Sequence, residues 1–134
     1  MKKTRIIILS IVLFLIAGGF LGIKDFLTRA EANLASLSDI GIARIDLSSI
    51  EDGVYTGSYS AFPVSAEVSV TVKNHVIAAI ELIEHDNGRG ASAEVISGKV
   101  IESQSLQVDS VSGATYSSKV ILKAIESALL SADE

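Results

Sequence analysis

Eighteen consecutive uncharged residues, Ile6 to Ile23, dominate the hydropathy pattern, and Lys2, Lys3 and Arg5 precede them. At about 1.5 Å per residue the run makes a helix of roughly 27 Å, enough to cross a bilayer core. A secretory signal peptide carries a shorter apolar stretch and a small-residue cleavage site. Ala17-Gly18-Gly19 offers such a site, so anchor and signal peptide both stay open, with the length favouring an uncleaved anchor. Between Lys24 and Ser38, Leu27, Ala30, Leu34 and Leu37 recur every three or four residues. This spacing predicts a short helix with a narrow apolar stripe, a stalk continuing from the span. Asp39-Ile40-Gly41 is expected to end it, because glycine is favoured just past a helix. Ile42 to Glu51 reads as a linker with a short extended piece at Ala43 to Leu47.

The period then falls to two. Val54 to Ser60 places Tyr55, Gly57 and Tyr59 on one face. Val64 to Val72 alternates without error, with Ser65, Glu67, Ser69 and Thr71 between valines and Ala66, which predicts a half-buried strand. Lys73-Asn74-His75 supplies a turn, and Val76 to Ile83 follows as the second arm of a hairpin. The uniformly apolar Val76 to Ile80 suggests a central strand covered on both faces. Beyond a glycine-containing loop, Ser92 to Ser103 reads as a helix with Ala93, Ile96, Val100 and Ile101 along one side. Gly98 in its middle costs about 1 kcal/mol relative to alanine, and close packing would account for it. Ile121, Ala124, Ile125, Ala128 and Leu129 then form the clearest helical stripe of the chain. The expected fold class is α+β: a small antiparallel sheet with two helices packed on one face, preceded by an N-terminal transmembrane helix. The expected divisions are 1–23 for the anchor or signal peptide, 24–51 for the stalk and linker, and 52–134 for the domain.

Charge sets an orientation. The three basic residues lie before the span and every acidic residue after it, so the positive-inside rule leaves the N-terminus cytoplasmic and the domain outside the cell membrane. From Lys24 onward eight basic residues face sixteen acidic ones, a net charge of −8. Such a domain is unsuited to nucleic acid and to anionic lipid. The chain has no cysteine, which removes lipoprotein-type attachment, disulfides, iron–sulfur ligation and c-type haem attachment. Its two histidines, His75 and His85, have no thiolates to complete a structural zinc site. Redox chemistry here would need an organic cofactor.

The run Val108 to Ser118 carries the candidate chemistry. It sets the Thr115 hydroxyl directly behind two of the smallest residues, Gly113 and Ala114, at the point where the last helix begins. A helix N-terminus offers N–H groups without intrahelical partners and a partial positive charge, which suits a phosphate. Small neighbours let another protein or a bulky cofactor approach the hydroxyl. Read without further context, the same run is a polar turn with Ser117 or Ser118 as the helix N-cap. Capping and attachment are compatible.

Asp109, Ser112, Gly113, Ala114 and Thr115 form a D-x-x-S-G-A-T run, and in this the chain resembles the FMN-binding domain proteins that carry flavin covalently. The likeness extends through Gln104-Ser105-Leu106 and the closing helix, and back to Asp52-Gly53-Val54-Tyr55-Thr56-Gly57. It implies that a separate, metal-dependent flavin transferase takes FAD and joins FMN through its phosphate to Thr115. It further implies a role for Tyr116, Ser117 and Ser118 beside the attachment point. The histidine and glycines ahead of the first helix in that family are matched by His85, Gly88 and Gly90. Glycines there would let backbone N–H groups approach the flavin, whereas an ordinary connection would leave His85 exposed to solvent. Tyr55, Tyr59 and Tyr116 are candidates to stack on the flavin ring, although tyrosines in a small sheet are also core.

No other catalytic constellation competes: the sequence holds no G-x-S-x-G elbow or Walker-type loop. The resemblance implies an electron-transfer carrier rather than a complete enzyme, passing electrons between a membrane donor and an external acceptor or reductase. The bilayer itself would be engaged through residues 6–23. Two alternatives stay open. One is a flavin-binding subunit of a membrane oxidoreductase complex, although the short chain points to a stand-alone carrier. The other is a non-redox binding or assembly module with the same fold.

Overall fold

A computed structural model describes residues 1–86 and 91–133. Its first element, α1 (Lys2–Asp39), is a single uninterrupted helix of about 57 Å. The span and the expected stalk are therefore one rod. Residues Lys3–Ala32 form a stretch long and apolar enough to cross a membrane, and none of its most apolar window is buried against the rest of the chain. The helix ends where Ile40 turns extended, at φ −70° and ψ 111°. Gly41 does not supply the expected left-handed cap, since among the described glycines only Gly113 has positive φ. The segment read as a linker lies on the domain: Ile50 is buried in the core, and Ile40, Ile42, Ile45 and Leu47 pack against it. Ala43 to Asp46 form no strand, and a 3-10 turn, Leu47–Ser49, begins at the last residue of the extended piece expected there. Asp46 caps that turn by accepting from the Ser48 N–H and hydroxyl, and these bonds hold its carboxyl below the usual range.

Three antiparallel strands follow: β1 (Gly53–Ala61), β2 (Val64–Lys73) and β3 (Val76–Asp86), in that spatial order. Val64, Ala66, Val68, Val70 and Val72 are all buried, as their alternation predicts. The expectation of a central third strand is corrected, because β3 is an edge. Val76 is 46 % and Ile83 53 % exposed, and Ala78 and Ala79 are exposed too. Two tight hairpins joining three consecutive strands leave the middle one central. The second hairpin turns through Asn74 and His75, both at positive φ, the geometry of a tight type I′ turn. Register shifts interrupt the pairing of β3 with β2. Ala78 and Ile83 have no cross-strand partner, so Ile77, Ile80, Leu82 and His85 share the inner face despite their uneven spacing. The bulges conceal the period of two, which is why β3 reads as uniformly apolar.

The helical half covers one face of the sheet. A 3-10 turn (Ala91–Val95) leads into α2 (Ile96–Ser103), and α3 (Thr115–Leu130) closes the domain. The first helix is thus shorter than expected, with its opening turn wound tighter. Ala93, Ile96 and Val100 are buried, and the five stripe residues of α3 are buried completely or nearly so. Gly98 does not mediate close packing, since a Cβ there would meet nothing within 4 Å. The close approach is at Gly57 of β1 instead, where a Cβ would lie 2.2 Å from the Ala128 nitrogen and 2.3 Å from the Ala124 oxygen. Gln104, at φ 52°, closes the free edge of β3. Its Oε1 accepts from the Ile77 N–H at 2.8 Å and its Nε2 donates to the Ile77 carbonyl at 3.0 Å. One side-chain amide stands in for the missing strand.

Candidate functional site

The candidate site gathers at the N-terminal end of α3. Val111-Ser112-Gly113-Ala114 is a tight turn closed by the Ala114 N–H donating to the Val111 carbonyl at 3.0 Å. Gly113, at φ +79°, occupies the third position, where a type II turn demands left-handed backbone. A side chain there would meet no neighbour, so backbone conformation and not space selects glycine. The turn delivers the chain to Ala114, buried at the head of the helix, and Thr115 is the first helical residue, its side chain exposed.

Neither Ser117 nor Ser118 is the N-cap, which corrects the expectation from sequence. Ala114 holds that position without a side-chain capping bond, and both serines lie inside the first turn, buried. Ser118 ties the turn to the helix. Its N–H and its hydroxyl both donate to the Ala114 carbonyl, at 2.9 and 2.8 Å, and its Oγ accepts from the Val111 N–H at 3.0 Å. The first intrahelical bond therefore belongs to Ser118. The N–H groups of Thr115, Tyr116 and Ser117 precede it, the position from which helices hold anions.

Tyr116 fastens this end to the sheet. Its hydroxyl bonds the carbonyls of Ala61 and Phe62 at 2.9 and 2.8 Å, at the tip of the β1–β2 hairpin. Burial, and secondarily the neighbouring Tyr59, push its pKa above the usual phenol value. Tyr59, Ala66 and His85 form one row across the three strands on the helix-facing side. The bulge at Ile83 lets His85, three residues beyond Leu82, share its face. The solvent-exposed reading of His85 is accordingly corrected: its side chain is 2 % exposed, with Nδ1 3.4 Å from Glu94 Oε1. Gly88 and Gly90, expected to line the same site, lie outside the described residues.

Asp109 sits on the approach to the turn, exposed. Its backbone carbonyl accepts from Lys99 Nζ at 3.4 Å, beside a surface cleft of ≈ 520 Å³ that also involves Glu102, Ser103, Gln107 and Val108. Exposed Asp109, Ser112, Gly113 and Thr115 thus present one face of the run to solvent, while Ala114, Ser117 and Ser118 are turned inward. Tyr55 does not join them. Its hydroxyl donates to the Glu51 carbonyl at 3.0 Å, near the opposite end of the sheet. Glu94 escaped the sequence reading, since a single carboxylate nine residues after a histidine carries no recognisable spacing. The bridging role of Ser118 was hidden behind its resemblance to a cap. Gly57 was legible in principle, as the glycine between two inward tyrosines opposite an Ala124/Ala128 pair.

No group of three or more histidine, cysteine or carboxylate side chains suited to a metal occurs among the described residues. The family model described as FMN-binding domain matches residues 63–130, from the start of β2 to the end of α3, and leaves β1 outside the match. No individually curated protein matches the chain.

Proposed function

This chain belongs to the FMN-binding domain family, and from that premise we propose that it carries FMN covalently on Thr115. The observation that supports this most is the position of that hydroxyl. It is exposed on the first residue of a sixteen-residue helix, directly after a left-handed glycine turn. In the proposed maturation a flavin transferase presents FAD. The Thr115 oxygen takes the FMN phosphoryl group, the pyrophosphate bond breaks with AMP leaving, and the hydroxyl proton is lost.

The residues present suit that role. N–H groups of the first turn face the site of a phosphodiester, and the helix dipole favours its negative charge. Gly113 and Ala114 add almost no bulk on the approach. Ser118 holds the turn in shape without exposing a competing hydroxyl. Tyr116 fixes the helix end to the hairpin, and His85, backed by Glu94, borders the inner face from the far strand. Bound flavin would supply one- and two-electron redox chemistry, and an ester bond would keep it from being lost by dilution outside a cell. We read the whole as an electron carrier tethered by α1, its N-terminus cytoplasmic and its domain outside, linking a membrane donor to an external acceptor.

Co-expression with a flavin transferase and FAD tests the proposal. The intact wild-type chain should gain one FMN and keep its yellow colour after denaturation. Thr115→Ser should retain part of the loading and Thr115→Ala none. Loading of the alanine variant equal to wild type would overturn the assignment.

A further inference from the structure

The β1–β2 hairpin does not end in open solvent. Phe62 at its tip meets Phe26 of α1 edge to face, with ring centroids 5.2 Å apart and planes at 82°. Phe26 stands three residues beyond Ile23, roughly 4.5 Å further along the helix than the end of the apolar run. From there α1 continues for thirteen more residues to Asp39, about 20 Å. The chain then passes through buried Ile50 to Asp52, from which β1 returns to the tip. The domain therefore hangs beside the upper part of α1, with the hairpin tip level with the end of the span.

The two ends of the sheet differ in chemistry as well as height. The tip, Ala61-Phe62-Pro63-Val64, is uncharged, and Phe62 is 46 % exposed even with Phe26 against it. At the other end, about 30 Å away along β2, lie Asp52, Lys73, Asn74 and His75, where Asp52 Oδ1 accepts from the Asn74 N–H at 2.6 Å. Aromatic and apolar side chains at headgroup depth are what hold amphipathic elements in a bilayer interface. The domain's net negative charge gives no electrostatic attraction to anionic lipid.

We infer that the uncharged hairpin tip around Phe62 is a lipid-contacting surface that seats the Thr115 end of the domain against the membrane. The inference rests on α1 acting as a membrane anchor. Thr115 is carried to that level because Tyr116 is bonded to the Ala61 and Phe62 carbonyls. A flavin there would face redox partners confined to the bilayer, while the Asn74 end of the sheet points away.

The chain has no tryptophan, so each introduced one is a sole reporter. Full-length Phe14→Trp, Phe62→Trp and Lys73→Trp would be reconstituted separately in phosphatidylcholine vesicles whose acyl chains are brominated near the headgroups or near the bilayer centre. Emission from Phe14→Trp should be quenched most by the deep label. Phe62→Trp should be quenched by the shallow label only, and Lys73→Trp by neither. Ser60→Trp, exposed beside the tip, should follow Phe62→Trp and serves if that variant fails to melt cooperatively. Raising the salt concentration or adding anionic lipid should leave the tip signals unchanged. An unquenched tip with Phe14→Trp quenched would overturn the inference while sparing the anchor. Phe14→Trp unquenched would remove the anchor reading and the inference with it. Tip quenching abolished by salt would overturn the apolar seating.

Discussion

Along its C-terminal half α3 presses Ala124 and Ala128 onto Gly57 so closely that a methyl group at Gly57 would collide with helix backbone at 2.2 Å. At its N-terminal end the same helix leaves Thr115 exposed, behind a turn in which Gly113 has nothing within 4 Å of where a Cβ would be. Both ends use glycine next to small residues, for opposite reasons. One glycine removes bulk so that two elements can touch, and the other removes conformational strain so that a hydroxyl can be presented. The packed end fixes the helix on the sheet, and this fixed helix is what allows a side chain at the open end to hold its position without being covered.

The contrast breaks most readily at the packed end. Gly57→Ala should destabilise the domain by about 3 kcal/mol or more, since the collision is with backbone and the strand or helix must shift. Urea unfolding reads this directly, and an unchanged midpoint would show that the two elements are not in close contact. Ser118→Ala should cost about 1–2 kcal/mol by leaving the half-buried Val111 N–H without its acceptor. The flavin loading of that variant should fall as the turn loosens. Gly113→Ala, strained by the left-handed backbone, should cost about 1–2 kcal/mol. It should reduce loading by more than its stability loss explains, and equal loading would separate the turn from recognition by the transferase.

A smaller effect sharpens the link between the open end and the sheet. Because the Tyr116 pKa is raised in the folded state, the unfolded chain releases that proton first as pH climbs. The contribution to stability is therefore complete below about pH 10, the unperturbed tyrosine value. It is lost as pH rises from there through the folded-state pKa. Tyr116→Phe should be less stable than wild type at pH 7, having lost its carbonyl bonds, and should show a shallower fall in the alkaline range. Parallel curves for the two proteins would mean that Tyr116 is not held in its buried setting.

The strand of strict alternation, the Asn74 turn and the stripe of α3 were legible because each repeats one simple period with little interference. What escaped the sequence depended on deviations from a period. Two bulges in β3 broke its period of two and hid an edge strand behind a uniform apolar run. Ser117 and Ser118 carry the residue type of a cap, but the cap falls at Ala114, three residues before Ser117, because the Gly113 turn already supplies the helix entry. Gln104 as a substitute strand, and Glu94 beside His85, are long-range pairings with no local signature. The exposed face of the run from Asp109 to Thr115 was the most readable part of the site. It belongs to one continuous stretch of sequence, and under the proposed function a modifying enzyme that reads it needs it on the surface.

Peptide mapping of the flavin bond tests the central claim most directly. Full-length protein matured with flavin transferase and FAD would be digested, and the fluorescent peptide sequenced by fragmentation. The account predicts a single FMN phosphoester on Thr115. It also predicts that Thr115→Ala abolishes the modified peptide while changing stability by less than about 0.5 kcal/mol, as expected for an exposed side chain. Flavin found on Ser112, Ser117 or Ser118 would contradict it.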